Sequence, residues 1–276
     1  MGEDWMNRPF EPAALDTEYF ERPSPARMWN YLQGGDDHYP LDREAGDAMA
    51  AAHPEIFDLA KQTRGFLIRA AEYLADDFGV RQFLDIGCGL PSPHDLPDLH
   101  EVAQNRHSDA RVVYVDNDKV VMAHAQGWRK ATTQDGRCDY LEEDARNPDA
   151  ILAGAGETLD YTQPVAVCLL GVLGHVPNYD EALSIVRRLM AAVPSGSFLI
   201  FADGFEEEHL ARGVGDRNET GIDPYTLRNL SQFTGYAEGL ELLDPGVTSV
   251  SLWRPEPVAV GNIRPVMQYG GVARKP

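Results

Sequence analysis

The stretch Gln82-Phe83-Leu84-Asp85-Ile86-Gly87-Cys88-Gly89-Leu90-Pro91 constrains this chain more than any other. An apolar run carrying one acid passes into two glycines one residue apart. That pattern predicts a buried parallel strand entering a loop whose backbone lies close to a ligand. Without a Cβ, Gly87 and Gly89 can take unusual backbone angles and leave room for a ligand on the main chain. Further on, a second apolar run, Arg111-Val112-Val113-Tyr114-Val115, ends in another acid, Asp116. Strand, glycine loop, helix, strand and acid, in that order, are the layout of a nucleoside pocket at the carboxyl ends of parallel strands.

Which nucleoside is decided by what is missing. A dinucleotide site needs G-x-G-x-x-G/A opening straight into a helix whose amino end holds a pyrophosphate. Here the sixth position is Ser92, and Pro91, Pro93 and Pro97 postpone the next helix to about Asp98. Proline has no N–H to offer a phosphate. No G-x-x-x-x-G-K-[ST] occurs, which excludes a P-loop. A ligand with ribose and adenine but no phosphate fits better, and S-adenosylmethionine (SAM) is the common one.

The formal net charge of −20 on 276 residues argues against a nucleic-acid partner. Such binding rests largely on Lys and Arg neutralising phosphates. Acidity for solubility is the plain alternative, and both readings leave a small molecule as the substrate. Cys88, Cys138 and Cys168 form no Cys-x-x-Cys pair and no zinc spacing, so no metal is expected. The odd cysteine count and the polar amino terminus fit a reducing, cytoplasmic setting. No apolar run approaches the length of a membrane span.

Along the chain, residues 1–22 read as weakly ordered. Pro23 to Leu32 predicts a short helix capped by Ser24, with Pro25 in its first turn. It stops at Gly34-Gly35, before Asp36-Asp37-His38-Tyr39-Pro40. This segment is either a static helical cap or a lid whose Tyr31, Asp37 or His38 faces the ligand. Residues 56–78 carry Ile56, Leu59, Ala60, Leu67, Ala70, Ala71 and Leu74 at helical spacing, and Gly79 supplies the stop. Helices are also predicted over 98–107, 119–128 and 180–192, and a small one after the Asn147-Pro148-Asp149 turn. A short strand precedes Asp144, and buried strands are predicted over 164–170 and 197–202. Such alternation means a mostly parallel, doubly wound α/β sheet. Toward the carboxyl end, 204–221 reads as a mobile loop, 223–234 as a helix, and 240–243 with 249–253 as a terminal strand pair.

Several stretches resemble one family. They include Pro23-Ser24-Pro25-Ala26-Arg27, Tyr31-Leu32-Gln33-Gly34-Gly35-Asp36-Asp37, Leu41-Asp42-Arg43-Glu44-Ala45, Phe83 to Pro91, His100 to Gln104, Val113 to Asp118 and Leu252-Trp253-Arg254-Pro255. Together they look like the actinobacterial S-adenosyl methyltransferase family, long described as a domain of unknown function. The resemblance implies a Rossmann-like class I SAM-dependent methyltransferase with a seven-stranded sheet. It also implies one domain over 1–276, its helical cap at about 1–78 and its core at about 79–276. Carried over, the class pattern places Asp85, Gly87 and Gly89 at the methionine end of SAM and Asp116 on both ribose hydroxyls. Asp118, two residues on, is expected outside the pocket. Asp144 and Ala145 would lie at the adenine, and Leu170, Gly171 and Val172 close to the sulfonium, with His175 nearby. Family members often carry His where this chain has Gly174, which leaves His175 as the one imidazole of that loop.

A SAM methyl group is already activated, so positioning in a dry cleft is the main task. An oxygen or nitrogen acceptor also needs a base, and His175 is the first candidate, followed by His38 and Tyr31. Three functions stay open at this point: methyl transfer to a small molecule, SAM binding without transfer as a sensor or pathway partner, and NAD-type oxidoreduction.

Overall fold

In a computed structural model, residues 21–93, 96–128, 130–206, 225–255 and 263–276 are described. Three helices come first: α1 (Pro25–Gln33), α2 (Pro40–Ala52) and α3 (Ile56–Phe78). Alternation then begins with β1 (Gln82–Ile86), α4 (Leu99–Arg106), β2 (Arg111–Asp116), α5 (Lys119–Trp128), β3 (Arg137–Glu142) and α6 (Pro148–Ala155). It continues through β4 (Ala166–Leu170), α7 (Tyr179–Ala192) and β5 (Phe198–Gly204). The chain closes with α8 (Leu230–Tyr236), β6 (Glu241–Leu242), β7 (Thr248–Ser249) and β8 (Gln268–Arg274).

The sheet order is β3-β2-β1-β4-β5-β8-β6, with β7 also on β8. The five strands from β3 to β5 are parallel, and β8 runs antiparallel to β5. The short β6 and β7 share the outer edge of β8, meeting its far and near halves in turn. The sheet is therefore seven positions wide, as expected, although eight strands build it. Its chain path runs outward from β1 to β3 and then returns to β4 beside β1. A crevice at the carboxyl ends of β1 and β4 is the topological switch point where such sheets bind ligands.

Strand residues alternate between two apolar layers, as a period of two requires. Phe83, Val112, Tyr114, Cys168, Phe198 and Ile200 pack under α1, α3 and α4. Leu84, Ile86, Val113, Val115, Val167 and Leu169 meet α6, α7 and α8 on the other face. The predicted stripe of α3 (Ile56, Leu59, Ala60, Leu67, Ala70, Ala71, Leu74) is buried, and Phe66 is buried beside it.

Three expectations need correction. Ser24 stands at the amino end of α1 but makes no capping bond with its side chain; its hydroxyl donates to Asp118 instead. The helix expected from 223 begins at 230, because 225–228 runs extended and bridges Phe205 to Arg228. The terminal strand pair shrinks to two residues each, and the closing strand is β8, beyond that pair in sequence. Beyond Glu206, the loop expected over 204–221 lies outside the described residues, as does most of the weakly ordered 1–22. No helix among the described residues is long and apolar enough to cross a membrane.

Candidate functional site

The site begins where β1 ends. Gly87 and Gly89 both adopt left-handed backbone, with φ of 71° and 63°. The Gly87 amide donates to the Val115 carbonyl at 2.8 Å, which ties the loop to β2. A Cβ on Gly87 would stand 2.2 Å from Val172 Cγ2, whereas one on Gly89 would meet nothing within 4 Å. One glycine is thus required by packing and the other borders open space. Gly171, after β4, borders open space in the same way, with φ of 71°.

Asp116 closes β2 at 7% exposure. Its Oδ2 accepts the Gly89 amide at 2.9 Å and its Oδ1 accepts the Asp118 amide at 3.0 Å. Carboxylate oxygens accept more than one hydrogen bond each, so a diol can still bind there. Asp85 is buried in β1, in register with Tyr114 and Cys168. Burial pushes the Cys168 thiol well above its ordinary range, and the Asp85 charge adds to this. Past the glycines, the loop is anchored by the buried Arg64 of α3, whose Nε donates to Ser92 Oγ at 2.6 Å and which pairs with Asp98.

Side chains join the ends of β2, β3 and β4. Asn117 Nδ2 donates to Asp144 Oδ2 at 3.3 Å. Arg146 pairs with Asp144 at 3.1 Å and donates to the His175 carbonyl at 2.7 Å. Ala145, between them, is half-buried against the second apolar layer. After Leu170 and Gly171, Leu173–His175 forms a single 3-10 turn. Asp85, Gly87, Gly89, Asp116, Asp144, Ala145, Leu170, Gly171 and His175 therefore all stand on strands or loops at the carboxyl edge of adjacent parallel strands.

The cap candidates stand on α1 and in the turn after it. The Tyr31 hydroxyl donates to Asp47 of α2 at 2.6 Å, and that bond raises the phenol above its ordinary pKa. The His38 ring packs edge-on against Tyr31, centroids 5.0 Å apart. Asp37 reaches α5, its carboxylate 3.6 Å from His124 Nδ1.

A further cluster escaped the sequence reading. Asp203 is the penultimate residue of β5, at 1% exposure, and accepts a short hydrogen bond from the Tyr225 hydroxyl. That hydroxyl accepts the Gly204 amide at 3.0 Å. Burial pushes the Asp203 carboxyl up to about 6, against hydrogen bonds from the Tyr225 hydroxyl and the Gly174 and Leu173 amides and against the Arg228 charge. The Tyr225 ring stands edge-on to His175, centroids 5.0 Å apart. It also fills the space beside Gly174, where a Cβ would lie 2.4 Å from Tyr225 Cζ. Arg228, buried, donates to the carbonyls of Val176 and Pro177 and to the Tyr236 hydroxyl, fixing the chain after His175. One signal could have revealed Asp203: it ends an apolar strand with an acid, as Asp116 does. Tyr225 offers no such signal, being distant in sequence.

A buried carboxylate thus ends β2, and glycines with open faces follow β1 and β4. A DUF574 family protein from Streptomyces avermitilis MA-4680 is 40% identical, with a TM-score of 0.87 over 93% of this chain and 98% of that one. A candidate methyltransferase from Thermobifida fusca YX is 30% identical, with a TM-score of 0.83 over 93% and 96%. Magnesium protoporphyrin IX methyltransferase from Synechocystis PCC 6803, solved with bound S-adenosylhomocysteine (SAH), shares the fold at 14% identity, with a TM-score of 0.54 over 90% and 93%. No curated protein matches this chain. A family model described as S-adenosyl methyltransferase matches residues 10–276. The chain, with its class I SAM methyltransferase fold, belongs to the S-adenosyl methyltransferase family.

Proposed function

We propose that this protein transfers the SAM methyl group to a small molecule through an oxygen or nitrogen atom, within one domain capped by its first three helices. The observation that carries this reading is the Asp203–Tyr225–His175 cluster at the ends of β4 and β5, beside the open face of Gly171. It sets groups able to take a proton next to the crevice. The net charge of −20 supports a small acceptor over a polyanion.

In this reading Asp116 accepts the 2′ and 3′ hydroxyls of the ribose. Asp85, Gly87 and Gly89 face the methionine end, Asp144 and Ala145 lie at the adenine, and Leu170 and Gly171 pass beside the sulfonium. SAM supplies a methyl group already activated for transfer. His175 or Asp203 takes the proton that the acceptor N–H or O–H loses as its lone pair bonds to the methyl carbon and the carbon–sulfur pair returns to sulfur. Asp203, its carboxyl pushed up to about 6 by burial, is a weak base suited to neutral pH. Tyr31 and His38 belong to the cap and stand second as proton acceptors.

The test is to incubate the protein with methyl-labelled SAM and a lysate of an actinobacterium, separated into small-molecule, nucleic-acid and protein fractions. Label is expected in the small-molecule fraction and should vanish with Asp203→Ala. Label confined to nucleic acid or protein would replace the acceptor class. Retention of SAM with no label in any fraction would make this a binding protein without transfer.

A further inference from the structure

Ser24 breaks a local rule. At the amino end of a helix a serine hydroxyl ordinarily accepts an amide of the first turn. Here it makes no such bond and donates to Asp118 Oδ2 at 2.7 Å, 94 residues away. Local rules are most often broken where another requirement outweighs them.

The surroundings hold Ser24 in place for this contact. Its amide donates to Asp42 Oδ1 at 2.9 Å. Asp42 Oδ2 accepts Arg27 Nε at 2.7 Å and the Tyr39 amide at 2.8 Å, and Arg27 and Asp42 are 1% and 0% exposed. The backbone of Ser24 is thus fixed by a buried ion pair that spans α1 and α2. Its side chain, 8% of the residue exposed, is left for the core domain.

On the far side, Asp118 does two further things. Its Oδ1 accepts the Val120 amide at 2.8 Å, capping α5. Its own amide donates to Asp116 Oδ1 at 3.0 Å, while Asp116 Oδ2 takes the Gly89 amide. A continuous polar path therefore runs from the cap through Asp118 to both oxygens of Asp116 and into the glycine loop. Asp116 and Asp118 are also like charges two residues apart. The Ser24 hydroxyl offsets the charge on Asp118, so the 116–118 turn can hold both carboxylates in place. The contact between Asp37 and His124 ties the cap to the same helix a second time.

We propose that Ser24 and Asp118 are positioning residues for the cofactor: they set the Asp116 carboxylate, so that docking of the cap and binding of SAM strengthen each other. This rests on the reading that Asp116 takes the ribose hydroxyls. Such coupling is reciprocal by necessity. Removing the hydroxyl weakens SAM binding, and binding SAM protects the cap.

The test uses SAH, titrated calorimetrically at 25 °C into the full chain as wild type, Ser24→Ala, Ser24→Thr and Asp116→Ala. Ser24→Ala is expected to bind three- to tenfold more weakly with an unchanged circular dichroism spectrum, and Ser24→Thr, which keeps the hydroxyl, within twofold of wild type. A purely structural Ser24 would lower thermal stability and leave the affinity of the folded protein alone. Wild-type affinity in Ser24→Ala, with binding lost in Asp116→Ala, would overturn the coupling and leave the cofactor site standing. Wild-type affinity in Asp116→Ala would overturn both. Should Ser24→Ala fail to fold, amide exchange on the wild type decides. Slower exchange over residues 23–45 with SAH supports the coupling, and identical exchange overturns it.

Discussion

Asp203 shows how one residue can carry both a chemical possibility and a stability cost. Its carboxyl, pushed up to about 6 by burial, binds a proton more tightly in the folded chain than in the unfolded one, where carboxylates titrate near about 4. The folded state therefore holds the extra proton between these two values. Stability must fall as pH rises from about 4 to about 6, and the cost is complete above that window. A difference of about two units corresponds to about 3 kcal/mol at most. Asp203→Asn keeps an acceptor oxygen for the Tyr225 hydroxyl and removes the titration. Urea unfolding of both proteins from pH 4 to pH 7 should show the wild type losing stability relative to the variant across that range. Parallel curves would mean that Asp203 titrates in the folded chain as it does in the unfolded one. The acids at strand ends were legible because a charge closing an apolar run has few structural uses. Asp116 shows that pattern plainly, whereas Asp203 lies just past the apolar run that ends at Ala202, in a strand that continues to Gly204. Tyr225 and Arg228 were not legible, since only the fold brings them to β5.

At the scale of elements, the two glycines of the first loop look equivalent in sequence and are not equivalent in space. Both carry positive φ, so any side chain costs roughly 1 kcal/mol or more there. Gly87 has Val172 against it as well, while Gly89 faces open space. Gly87→Ala should therefore act chiefly on stability, lowering the unfolding midpoint by several degrees beyond Gly89→Ala. Gly89→Ala should act chiefly on SAM binding, weakening it at least tenfold while the fold survives. Thermal melts and calorimetry on the pair check this, and the opposite assignment would reverse which loop face meets the cofactor. Amphipathic helices such as α3 and fully apolar strands such as β4 were readable because their period or their continuity is written locally. The closing strand was not. Its Gln-Tyr-Gly-Gly-Val-Ala-Arg sequence has neither alternation nor strong strand propensity. Gly270 is needed because a Cβ there would lie 2.4 Å from the Phe201 carbonyl oxygen, a demand set by the neighbouring strand. Short β6 and β7 likewise exist only as partners of β8.

For the whole molecule, the order of elements sets where the proposed site opens. A parallel sheet that runs outward from β1 and resumes at β4 opens its crevice between those strands. The glycine loop, the Asp116 carboxylate and the β4 loop all fall on that edge, and the cap reaches it through Ser24. The charge balance argues against a polyanionic partner from the sequence alone. It could not place the cap, because Ser24 and Asp118 meet only once the helices pack. The most direct test of this arrangement is equilibrium dialysis of methyl-labelled SAM against the wild type, Asp116→Asn and the exposed control Asp77→Asn. Wild type and control should retain SAM with micromolar affinity, roughly −8 kcal/mol. Asp116→Asn keeps the shape but replaces one acceptor oxygen with a donor. It should bind ten- to a hundredfold more weakly, the loss of one hydrogen bond to a charged group. Folded wild-type protein that retains no SAM, or an Asp116→Asn variant that binds as tightly as the control, would contradict the account.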